Sequence, residues 1–126
     1  MQFLTQFGLI LLAAGALLGW PIALQHLSPE AIRWFGVRHP RRLLQMHIDY
    51  VLMGLILIAV SLAVPGLPAW NQVVLVIGTV VNPLLFLPLA FWADLEQTLV
   101  YRAISVASFL CVSAGTVGAA VEGLQR

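Results

Sequence analysis

The sequence predicts an all-α fold, an integral membrane four-helix bundle, on three observations. Of its 126 residues, 61% are hydrophobic and 9% charged, where an average soluble domain is about 25% charged. Four apolar runs each approach the ~20 residues needed to cross ~30 Å of hydrocarbon. Their connections are short, so residues 1–126 are expected to form one compact membrane domain. A water-soluble monomer is excluded on this composition. The glycines and prolines fall inside or between the apolar runs, which suits membrane helices better than disorder.

The first span is expected over about 3–24, interrupted only by Gln6, Gly8, Gly15, Gly19 and Pro21. No Arg or Lys precedes it, so a cleaved secretory signal with a positive n-region is not expected and the run is read as a retained helix. Its Gly15-x-x-x-Gly19 pair suits close helix packing. In the polar connection Gln25 to Arg42, Ser28-Pro29-Glu30 supplies an N-cap, a first-turn proline and a first-turn acid, predicting a short interfacial helix.

The second span is expected over about 43–64, stopping at Pro65, with His47, Asp49 and Tyr50 crowded into its first two turns. Pro65-Gly66-Leu67-Pro68 makes a tight uncharged turn before Trp70, an interface anchor. The third span, about 73–92, carries Asn82-Pro83 at its middle and Pro88 later, so it is expected to kink and leave carbonyls needing partners. The fourth, about 99–121, places Ala103, Ala107, Cys111, Gly115 and Ala119 four residues apart, a small-residue stripe for a close helix contact.

All six basic residues are Arg and the formal net charge is +1. No polybasic tail is present for nucleic acid or anionic lipid, and neither class of partner is expected. Arg33, Arg38, Arg41 and Arg42 lie in the first connection and Arg102 lies beside the third, so these connections are expected to face the cytoplasm, with both termini outside. The lone Cys111 forms no intrachain disulfide.

A titratable group inside a span is costly to desolvate and needs a partner or a purpose. His47 shares a face with Tyr50 and Gly54, whereas Asp49 points ~200° away. Asp49 is expected to pair with Arg102 or an Arg of the first connection. For His47 two readings stand on spacing alone: a neutral imidazole bonded to a carbonyl or Tyr, or a metal or haem ligand facing a gap beside Gly54. No second His lies in any span, so a bis-His electron carrier lacks its second ligand within one chain, and a zinc site lacks ligand spacing. Asn82, near the midplane on one face with Phe86, suits either an interhelical hydrogen bond or a pocket lining. Phe86 is by default a core aromatic.

The stretch Arg41-Arg42-Leu43-Leu44-Gln45-Met46-His47-Ile48-Asp49-Tyr50-Val51-Leu52-Met53-Gly54, running on to Pro65, resembles the second helix of styrene oxide isomerases and hydroxylaminobenzene mutases. Both are small four-helix membrane isomerases. Their pattern of His, five residues, Asn-Gly and a later helix with a central Asn maps here onto His47, Met53-Gly54 and Asn82. The resemblance implies a homotrimer, a haem b with His47 as axial ligand, and a redox-neutral isomerisation in which ferric iron acts as Lewis acid on a small apolar, oxygen-bearing substrate taken from the bilayer. It further implies that Met53, Gly54 and Phe86 lie at the cofactor, that Asn82 and Tyr50 are the polar catalytic candidates, and that the protein resides in the bacterial cytoplasmic membrane. Three positions depart from the pattern: Met53 replaces an Asn, Phe86 a Tyr, and Gly78 an acid. A haem protein of another kind, an electron carrier or gas or redox sensor, is the alternative, followed by a haem-free assembly subunit. A small multidrug transporter is disfavoured because the first span holds no acid.

Overall fold

The computed structural model of the chain describes residues 2–126. It is all-helical: α1 (Phe3–Leu17), α2 (Gly19–Leu27), α3 (Pro29–Trp34), α4 (Pro40–Ala63), α5 (Ala69–Leu84), α6 (Phe86–Phe91) and α7 (Leu99–Leu124), with a 3-10 turn at Ala93–Gln97. Four helical segments are long and apolar enough to cross a membrane: Phe3–Leu27, Pro40–Ala63, Ala69–Phe91 and Leu99–Leu124. Each expected span is present, with ends shifted by a few residues.

Two of the four are broken, and proline sets both breaks. Leu18 separates α1 from α2 and Leu85 separates α5 from α6, each three residues before a proline, Pro21 and Pro88. A proline has no N–H for the carbonyl four residues back, so the helical ladder fails there. The third span, expected to kink on its prolines, breaks at Leu85 ahead of Pro88, while Pro83 is accommodated inside α5. The short interfacial helix forms as α3 behind Pro29, but the Ser28 side chain makes no capping bond. Its proline and acid suffice to start that helix.

The helices pack as two close pairs, α1 on α4 and α5 on α7, joined through α4 against α5 and α6. Glycines make both pairs close. A Cβ on Gly54 would lie 2.8 Å from the Gly8 carbonyl oxygen, and one on Gly78 would lie 2.7 Å from the Val112 nitrogen. In lipid, helix association gains little from the hydrophobic effect, so van der Waals contact of this kind carries it. The small-residue stripe of α7 divides: Gly115 and Ala119 are buried, with Gly115 against Leu75 of α5, while Ala103 and Ala107 are exposed. Only the C-terminal part of that stripe therefore serves packing inside the chain.

Polar side chains tie the helices at several depths. Near the N-terminus, Ser61 of α4 bonds Thr5 of α1 at 2.7 Å and donates to Gln2 at 2.9 Å. Buried Asn71 of α5, with its amide turned to satisfy both ends, donates to the Gly115 carbonyl at 3.0 Å and accepts from the Ala119 amide at 3.2 Å. At the Arg-rich end, Arg42 pairs with Glu96 at 3.0 Å, and the amides of Arg38 and His39 both donate to the Ala90 carbonyl at 2.9 Å. The first and third connections thus lie together. The opposite end joins the C-terminal Arg126 to the Pro65 carbonyl.

Candidate functional site

His47 stands on α4 one turn inside the apolar run, at the contact with the first span. Its Nδ1 lies 2.5 Å from the carbonyl oxygen of Gly15. A carbonyl can only accept, so Nδ1 donates its proton and the neutral ring keeps a lone pair on Nε2. Gly15 is in the last turn of α1, just before the break at Leu18, where helix carbonyls are open to side-chain donors. Gly19 borders the ring without crowding it: a Cβ there would stand 3.5 Å from His47 Cε1.

Nε2 has no hydrogen bond among the described residues, and among those residues no buried side-chain nitrogen or oxygen lacks a partner. Nε2 is therefore not fully buried. A backbone carbonyl on one ring nitrogen with the other left free is the usual orientation of a metal-ligating histidine. The same carbonyl bond also satisfies the purely structural reading of His47. No cluster of three or more His, Cys, Asp or Glu able to hold a metal ion occurs among the described residues. A haem axial site needs only one such ligand.

The other expected residues are distributed over different helix contacts. Tyr50 is buried, and its hydroxyl donates to the Val80 carbonyl of α5 at 2.8 Å. Met53 is buried in the core, and Phe86 packs against that core from α6. The gap expected beside Gly54 is filled: Leu12 Cγ would lie 2.9 Å from a Cβ at that position. Gly54 is spent on the approach of α1. Asn82 accepts from the Ser108 hydroxyl of α7 at 3.1 Å, the interhelical bond that its position allowed. His47 thus belongs to the α1–α4 contact and Asn82 to the α5–α7 contact, and one protomer does not bring them together.

Asp49 makes no ion pair among the described residues. Two of its expected partners are engaged elsewhere: Arg42 binds the Glu96 carboxylate, and Arg102 Nε donates to the Glu96 carbonyl at 3.2 Å. Glu96 lies beside these arginines in the connection, where pairing costs less desolvation than at a half-buried position inside α4.

An apolar cavity of about 510 Å³ opens one turn from His47, lined by Trp20, Leu24, Phe35, Leu43 and Phe91 among others. Leu43 precedes His47 by four residues on α4, and Trp20 follows the Gly19 that borders the ring. Neither that cavity nor the carbonyl partner of His47 was marked by any motif. The Gly15-x-x-x-Gly19 pair was the one signal that α1 would come close enough to supply them. Compared with known proteins, the chain matches no family model, no curated protein and no solved structure.

Proposed function

We propose that this chain is a haem b-binding integral membrane protein of the bacterial cytoplasmic membrane, acting as a redox-neutral isomerase on a small apolar, oxygen-bearing substrate drawn from the bilayer. The observation that carries the reading is His47, with Nδ1 donating to the Gly15 carbonyl and Nε2 left unpaired among the described residues. Fixing the tautomer through Nδ1 makes Nε2 the basic ligand atom and holds the ring plane. When bound there, haem iron with one open position supplies a Lewis acid for the substrate oxygen. Apolar residues around the nearby cavity exclude water and suit a substrate that partitions into lipid.

A homotrimer completes the reading. Asn82 lies at a different helix contact from His47, and a neighbouring copy would be the means of adding groups to the free Nε2 side of the ring. Purification in mild detergent from haem-replete cells tests the proposal. A Soret band, with anaerobic turnover of aryl epoxides or arylhydroxylamines in the absence of reductant, is the expected result. A colourless preparation overturns the haem reading.

The second reading, a haem electron carrier or sensor, is favoured by a specific observation. Tyr50 already donates to Val80, Asn82 already accepts from Ser108, and Met53 and Phe86 are apolar. A coloured protein inactive on both substrate classes supports that reading.

A further inference from the structure

At the Arg-rich end of α4 two cavities meet at one side chain. A polar cavity of about 370 Å³ is lined by His39, Arg41, Arg42 and Gln45. An apolar cavity of about 240 Å³, bordered by Pro21, Ile22, Leu43 and Leu44, is also lined by Arg41 and His26. Arg41 therefore borders both, with cationic groups on one side and the start of the apolar run on the other.

The charges there are unevenly used. Arg42 is committed to Glu96 and donates to Gln45 at 3.1 Å. Arg41 makes no ion pair or side-chain hydrogen bond among the described residues. Asp94 lines a separate cavity with Arg38 and His39, and Arg41 is not part of that lining.

We infer that these two cavities, which share Arg41 as a wall, bind one anionic glycerophospholipid, its phosphate against Arg41 and His39 and an acyl chain along Pro21, Ile22, Leu43 and Leu44. Charge complementarity and the split lining select this occupant. A guanidinium engages a phosphate with two parallel hydrogen bonds. A free phosphate would leave the apolar cavity unfilled, and a zwitterionic lipid would offer Arg41 no net charge. The composition excluded a basic tail; the fold instead gathers basic groups from the α4 start around one apolar slot. This inference does not depend on haem.

The test is native mass spectrometry of the full chain in detergent with equal amounts of dioleoylphosphatidylglycerol and dioleoylphosphatidylcholine. The expected result is retention of the glycerol lipid about fivefold above the choline lipid, the scale set by one basic side chain near an anionic surface. Arg41→Gln is expected to abolish that preference, Arg41→Lys to keep part of it, and Arg38→Gln, which removes the same charge outside both cavities, to leave it intact. Equal retention of the two lipids overturns the inference, as does an equal loss with Arg38→Gln. Displacement of the retained lipid by excess inorganic phosphate would also overturn it, because it would show a phosphate site without a lipid site.

Discussion

His47 Nδ1 donates to the carbonyl oxygen of Gly15 at 2.5 Å, in the last turn of a helix that breaks three residues before a proline. Pro21 has no N–H for the Leu17 carbonyl, α1 ends, and the last-turn carbonyls of α1 are released beside α4. In an uninterrupted first helix the Gly19 amide would share the Gly15 carbonyl with His47. The partner that orients the ring thus lies on another helix, beside that helix's break.

Pro21→Ala tests that chain of cause. Continuous helix through Leu18 lets the Gly19 amide compete for the Gly15 carbonyl, loosening the His47 ring. On the haem reading, retention is expected to weaken about 10- to 100-fold, the usual cost of losing an outer-shell partner. Haem titration reads the change while circular dichroism checks that helix content does not fall. Unchanged affinity would show that Gly15 does not orient the ligand.

Removing the ligand should act more sharply than removing its support. His47→Ala is expected to abolish the Soret band, whereas His26→Ala and His39→Ala, both outside the apolar part of α4, should retain it. Full colour in His47→Ala would place the ligand elsewhere.

Gly54 should be intolerant of even one methyl group. Its Cβ would stand 2.8 Å from the Gly8 carbonyl oxygen and from the Leu12 nitrogen, both backbone atoms that move only if α1 moves. Gly54→Ala is expected to destabilise by about 1–3 kcal/mol. Gly19→Ala, whose Cβ makes an ordinary 3.5 Å contact with His47, should stay within about 0.5 kcal/mol. Reversible unfolding in mixed micelles compares the two, and equal costs would show that the α1–α4 approach is not limited by Gly54.

Tyr50 and Asn82 separate structure from chemistry. Tyr50→Phe strips the donor from the Val80 carbonyl, and Asn82→Ala removes the interhelical acceptor of Ser108, whose hydroxyl keeps the Ser105 carbonyl at 3.0 Å. Each loss is expected to cost about 0.6 kcal/mol, the mean for interhelical bonds in membranes. A double-mutant cycle of Asn82→Ala with Ser108→Ala should return a coupling of that size. If either residue also serves the isomerisation, turnover will fall by far more than the stability change explains.

The four spans were legible in the sequence because length and hydropathy are properties of a local segment, and a lipid solvent demands both from every crossing helix. Pro29, Pro65 and Gly15-x-x-x-Gly19 marked helix ends and one close contact for the same local reason. Partners were not legible, because they depend on which helices become neighbours. Asp49 was expected to meet an arginine, yet Glu96 reached Arg42 instead, and Gly54 was expected to border a gap that Leu12 fills. Hydropathy named His47 as costly and in need of a partner; only the packing of a broken first helix decided that the partner is a carbonyl and that Nε2 is left unpaired among the described residues.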